Sequence, residues 1–158
     1  MPFVVQWRGT VARRRVDNQS VISAVDLLPT MCAMADVTVP AGLHCDGEDV
    51  SDMVLSGRAR PRGKPLVWQW RFIIKDHVLH RSPSLAIRDG PWKLLMNPDA
   101  SRMELYNIPL DPSELTNVAD NEPTLASRLS QHALAWLKTL PPGPVDPAAG
   151  RNGFIPWP

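Results

Sequence analysis

Arg71, His77, His80 and Arg81 fall within one short stretch of the chain. Guanidinium and imidazolium groups bind sulfate, phosphate or carboxylate through charge-assisted hydrogen bonds. A histidine pKa near about 6.5 would make that contact pH-sensitive. The same residue types also make an ordinary polar loop, and both readings stay open. A second cluster, Asp46, Glu48, Asp49 and Asp52, is acidic. Its spacing departs from the EF-hand pattern D-x-[DN]-x-[DN]-G, so it is read as solvated or capping rather than as a calcium loop. Asp26 and Asp111 are expected to act as a helix cap and a turn former, not as catalytic carboxylates. Cys32 and Cys45 define no disulfide framework, and a bridge between them stays open.

The elements that must carry these residues change character along the chain. Phe3–Trp7 is a nearly continuous apolar run, suited to a strand buried on both faces of an α/β sheet. Asp26 is expected to cap a helix with Pro29 in its first turn, and Leu27, Leu28, Met31, Met34 and Ala35 fall on one stripe. From Pro65 the text becomes β-prone: Leu66–Phe72, Ser84–Arg88, Trp92–Met96 and Arg102–Tyr106 predict four strands. Asp89-Gly90 is a hairpin signal between the middle two. Pro123 should open an amphipathic helix whose face carries Leu125, Leu129, Ala133, Trp136, Leu137 and Leu140, ended by Pro141-Pro142-Gly143.

Together these features predict an α+β chain. Residues 1–60 carry a strand and a helix with little in this chain to pack against, 61–142 a four-stranded antiparallel sheet with one packed helix, and 143–158 an extended tail. Trp68, Trp70 and Trp92 are read as core or sheet-face aromatics. Alternation puts Trp68 and Trp70 on one face, expected to pack beneath Trp136 rather than to stack on a sugar.

Composition narrows the partners. The chain has 158 residues, a hydrophobic content of 44%, a charged content of 21% and a formal charge of +1. That balance gives no electrostatic footprint for nucleic acid or an anionic membrane. Arg13-Arg14-Arg15 is the one basic run and is read as a solvated loop. No apolar stretch is long enough for a membrane-spanning helix, and Met1-Pro2 leads into a strand rather than into a signal peptide.

The stretch Leu105-Tyr106-Asn107-Ile108-Pro109-Leu110-Asp111-Pro112-Ser113-Glu114-Leu115-Thr116-Asn117-Val118 is a short strand running into a proline-punctuated turn, in which Glu114 and Asn117 can bond local backbone. Its text, L-Y-[DN]-[LI]-x-x-D-P-x-E-x-x-N-[LV], resembles a signature near the C-terminus of the formylglycine-dependent sulfatases, the arylsulfatase and N-acetylgalactosamine-6-sulfatase-like family. Further segments match in the family's order. Pro2–Gly9 resembles V-P-x-x-x-x-W-P-G, and Ser23–Thr30 is similar to S-x-x-D-L-L-P-T. Asp46–Gly57 follows D-G-x-S-x-x-x-x-L-x-G, and Ala86–Lys93 resembles A-[IV]-R-x-G-x-[WY]-K.

The resemblance implies an alkaline-phosphatase-like parent fold, of whose large α/β domain residues 1–60 would be a strand–helix remnant and the Asp46–Asp52 cluster a surface connection, and a sulfuric ester hydrolase that uses calcium and formylglycine on sulfated carbohydrates or small sulfate esters. It also implies a compartment that is commonly periplasmic, secreted or lysosomal. The nucleophile motif C/S-x-P-S/A-R surrounds neither Cys32 nor Cys45, and the family's acidic calcium pairs have no counterpart here. No catalytic or metal residue is therefore assigned. The chain is expected to be the C-terminal portion of such an enzyme, silent alone, with a chain carrying the N-terminal sulfatase domain as a possible partner. Arg71, His77, His80 and Arg81 lie where the family's smaller domain meets the substrate cleft. A stand-alone module binding a carbohydrate or a protein, and a truncated gene model with no stable product, are the alternatives.

Overall fold

A computed structural model describes residues 3–70 and 82–141. The chain divides into two compact units, Met1–Leu66 and Val67–Pro158.

In the first unit, a single 3-10 turn (Ala24–Asp26) leads into helix α1 (Leu27–Met34), and a short helix α2 (Ser51–Ser56) follows. α2 begins within the acidic cluster, Asp46 to Asp52, that the resemblance implied to be a surface connection. Met53 and Val54 are buried on it, and Gly57 ends it in the left-handed conformation at φ 74°. Arg15 Nη2 donates to the α2 carbonyls of Met53 at 3.2 Å and Val54 at 2.8 Å. A Cβ on Gly57 would lie 2.8 Å from Arg15 Cδ, so glycine is required there twice over, by its φ and by this close approach.

The strand expected at Phe3–Trp7 does not form. The segment enters no ladder among the described residues, and its backbone bonds begin only with Thr10 and Val11 turning back onto Trp7 O. A strand exists by pairing, and no described segment of this unit pairs with it. The α1 stripe is divided: Leu28 and Met31 are 49% and 61% exposed and Leu27 and Met34 half-buried, whereas Pro29 and Thr30 are buried.

The second unit is a four-stranded antiparallel meander in the order β1 (Leu66–Gln69), β2 (Leu85–Asp89), β3 (Trp92–Met96) and β4 (Glu104–Asn107), with helix α3 (Pro123–Leu137) packed on β2 and β3. Register follows the hydrophobic pattern. Leu85 faces Met96, Ile87 faces Leu94, and Leu94 faces Leu105. These side chains are fully buried and meet Ala126, Leu129 and Ala133 of α3. Asp89 still pairs with Trp92, so the hairpin turn is Gly90-Pro91, one residue later than the Asp89-Gly90 signal suggested. Gly90 supplies the positive φ of 55°, and proline fixes a negative φ next to it, the pattern of a II′ turn. Pro123 occupies the first turn of α3 as expected.

Candidate functional site

Arg71, His77, His80 and Arg81 lie outside the described residues. The strands on either side are described: Trp70 N–H donates to Ser84 O at 2.6 Å, which joins the end of β1 to the approach of β2.

The signature stretch builds β4 and the loop after it, and most of its polar residues serve that construction. Asn117 Oδ1 accepts from the N–H groups of Leu105 at 2.9 Å and Ala119 at 3.0 Å, while its Nδ2 donates to Met103 O at 3.1 Å. Asn117 thereby completes the outer edge of β4, where no fifth strand pairs among the described residues. Val118 N–H adds a bond to Leu105 O. Asp111 Oδ2 accepts from Leu115 and Thr116 N–H, each at 2.8 Å. Those donors, Thr116 first, hold its carboxyl below the usual carboxylate range. Asp111 is the turn former that was expected. Glu114 departs from the expectation of a local backbone bond. It adopts φ 55° and receives Lys93 Nζ at 2.6 and 2.7 Å, tying the loop to β3.

The sheet face opposite α3 carries Ala86 and Arg88 of β2, Lys93 and Leu95 of β3, and Glu104 and Tyr106 of β4, as the register requires. Tyr106 is buried there. Burial and the neighbouring Glu104 raise its hydroxyl pKa, and the hydroxyl donates to Glu104 at 3.3 Å. Trp68 and Trp70 do not pack beneath Trp136. Val67 takes the helix-facing position on β1 and joins the core, and period-two alternation sends both tryptophans the other way. They are 42% and 45% exposed. Trp92 does pack against the core.

Asp26, Glu48, Asp49 and Asp52 of the first unit are committed to arginine or backbone. Asp26 is fully buried and receives Arg62 through both oxygens, Nη1 at 2.6 Å and Nη2 at 2.8 Å, as well as the N–H groups of Ser23 and Glu48. Burial by itself raises a carboxyl pKa. Here the Arg62 hydrogen bonds and the two N–H donors outweigh it and hold Asp26 below its ordinary value. Asp26 stands at the N-cap position of α1 but makes no side-chain capping bond to that helix; its carboxylate instead reaches back to Ser23 N–H and forms one half of a buried ion pair. Glu48 receives Arg60 at 3.2 Å and the N–H groups of Gly63 and Lys64, and Arg60 also reaches Asp52 at 3.1 Å. Calcium does not fit these residues, because their oxygens already accept from cations and N–H groups. No group of three metal-ligating side chains occurs among the described residues. Cys32 in α1 and Cys45 are both free thiols. Arg60, Arg62 and Lys93 went unnoticed as ion-pair partners in the sequence. Their acids stand 12, 36 and 21 residues away, and no local pattern links them.

Residues 1–136 match the family described as N-sulphoglucosamine sulphohydrolase, C-terminal. The chain is 27% identical to arylsulfatase K of Mus musculus over 134 residues, covering 83% of this chain and 24% of that protein. It is 24% identical to an N-acetylgalactosamine-6-O-sulfatase of Bacteroides thetaiotaomicron over 145 residues, covering 83% of this chain and 26% of that one. A crystal structure of a protein in complex with k-i-k-neocarrahexaose superposes with a TM-score of 0.59 at 25% identity, over 74% of this chain and 24% of that chain. The chain therefore spans about a quarter of the length of these relatives. The match over residues 1–136 places this chain in the sulfatase C-terminal domain family.

Proposed function

We propose that this chain serves as the C-terminal part of a sulfatase that hydrolyses sulfate esters of carbohydrates, contributing scaffold and part of the substrate rim rather than the reacting groups. The observation that carries this reading is the family match over residues 1–136, in which the signature residues Asp111, Glu114 and Asn117 are spent on holding the β4 loop. The sulfatase names of its relatives supply the substrate class. Formylglycine and calcium belong to that family's chemistry, and neither the described acidic residues nor the cysteine contexts of this chain suit them. No step of the reaction is assigned to these residues.

Under this reading Arg71, His77, His80 and Arg81 bind sulfate or carboxylate at the rim. Their cationic character and their place between β1 and β2 support the assignment. Purified chain should turn over no aryl sulfate with calcium added, and calcium-dependent turnover above background would overturn the silence. A H80A/R81A variant should bind a sulfated saccharide at least about tenfold more weakly, the scale of one or two lost charge-assisted bonds. Unchanged affinity would leave this stretch an ordinary polar connection. The rival reading, a free-standing binding module, draws on the exposed apolar residues of the first unit, Phe3, Trp7, Leu28 and Met31. A stable complex with a sulfatase N-terminal domain supports the first reading over the second.

A further inference from the structure

We infer that the groove beside Phe3–Trp7 in the first unit docks an acidic, extended segment of a partner protein, received by the unpaired backbone of that run and by Arg8, Arg13 and Arg14. The inference stands on this groove and goes beyond the sulfate chemistry proposed above. The basic run read as a solvated loop lines, together with Phe3–Trp7, a groove of about 980 Å³. That volume lies at the top of the about 300–1,000 Å³ range of ligand clefts and far exceeds the needs of a single ion. The three arginines of the run are not equivalent. Arg15 is spent on the Met53 and Val54 carbonyls. Arg8, Arg13 and Arg14 are exposed and form no ion pair or hydrogen bond among the described residues. Asp17 is the one acid lining the groove, and its Oδ1 accepts from Gln19 and Ser20 N–H at 3.0 and 2.9 Å. Three guanidinium charges are thus left without a counter-ion of their own.

Charge, backbone and apolar surface together choose the occupant. Carboxylates meet free guanidinium groups through charge-assisted hydrogen bonds, and a basic partner would be repelled. The N–H groups of Val4–Trp7 enter no hydrogen bond among the described residues, so the run offers a bare edge on which a strand from another chain can pair. Phe3 and Trp7 are exposed beside the arginines, and aromatic residues with arginine are the composition of protein interfaces. Val4 and Val16 stand 87% and 88% exposed on the same groove. A sulfated saccharide would use the arginines and leave those valines in water, whereas a protein strand uses both. A source for the strand is at hand, since this chain spans about a quarter of the length of its relatives. Where the proposed function holds, the remaining part of the sulfatase carries the acidic segment.

The test titrates the full chain with an end-blocked hexapeptide alternating glutamate and valine, with its lysine–valine counterpart and with a heparin hexasaccharide, followed by calorimetry and amide exchange. Wild type should bind the acidic peptide, slow exchange at Val4–Trp7 and ignore the basic peptide. Raising the ionic strength from about 0.1 M to about 1 M shortens the Debye length from about 10 Å to about 3 Å and should weaken binding at least about tenfold. R8Q/R13Q/R14Q should lose at least about tenfold at low salt and should lose the salt dependence. Proline removes a strand donor, and alternate donors face opposite edges, so one of V5P and V4P/Q6P should abolish binding while the other spares it. All these positions are exposed, and thermal melts should match wild type. The peptide comparison and the salt series need no variant and decide by themselves where one melts early. Equal binding of the two peptides, full affinity in R8Q/R13Q/R14Q or no binding by wild type overturns the docking site. Heparin binding tighter than peptide binding, with no protection at Val4–Trp7, makes the groove a glycan site and overturns it too. The aryl-sulfate and H80A/R81A results bear on the proposed function alone, so either reading falls without the other.

Discussion

At the scale of single residues, the Asp26–Arg62 pair is the contact on which the first unit depends most. Removing one partner leaves the other charge buried without compensation, and breaking such a pair costs about 3–5 kcal/mol. D26N should therefore destabilise the first unit by that amount, read as a drop in its urea midpoint. A D26L/R62M double variant should recover much of the loss, because paired removal strands no charge. The pair also fixes a pH dependence. The Asp26 pKa is lower folded than unfolded, so its stabilisation is complete above the unfolded value of about 3.9 and fades as pH falls through the folded one. Urea midpoints of the first unit should be level between pH 5 and 7 and decline below about pH 4; D26N should flatten that decline. Asn117 is the equivalent residue in the second unit. N117A forfeits two accepted bonds and one donated bond and should cost about 1–3 kcal/mol. E114A breaks a partly exposed pair and should cost about 1 kcal/mol or less.

At the scale of elements, α3 has a moderate apolar face and owes its place to the sheet rather than to its own propensity. Leu129 is fully buried at the centre of its contact with β2 and β3. L129A should cost about 2–5 kcal/mol in chemical denaturation, the range for a buried leucine truncated in a close-packed core. The β2–β3 hairpin is pinned by Gly90, whose φ of 55° a β-branched residue resists. G90V should therefore lower the melting temperature of the second unit although nothing lies within 4 Å of an added Cβ. A melting temperature equal to wild type would show that the turn relaxes freely.

For the whole molecule, the two units should differ in how firmly they hold their backbone. The second has a contiguous core joining three strands to a helix, whereas the first places Phe3, Val4, Trp7, Leu28, Met31 and Val37 in solvent. Amide exchange should be slowest at Ile87, Leu94 and Leu105 and fast across Val4–Trp7, whose N–H groups pair with nothing among the described residues. Binding to a sulfatase N-terminal domain should slow exchange at Val4–Trp7 first, because that segment has a strand-like sequence and no strand beside it. Equal exchange at Val4–Trp7 and Leu94 in the isolated chain would contradict this division.

The sequence by itself determined the second unit closely. Alternating β-prone runs, Pro123 and a 3.6-residue apolar stripe are local signals, and they produced the meander and its helix within a residue or two at most ends. It also carried the family, because the Leu105–Val118 text is contiguous. Three matters depended on contacts between residues distant in the chain. Which face of β1 meets α3 turns on strand register, and an alternation of Val67 against Trp68 and Trp70 reads equally well either way until the sheet is assembled. Whether Glu114 bonds its own loop or reaches Lys93 depends on how the loop folds back over β3. Whether Phe3–Trp7 becomes a strand depends on a partner, since a strand's hydrogen bonds are satisfied by another segment and never by its own sequence.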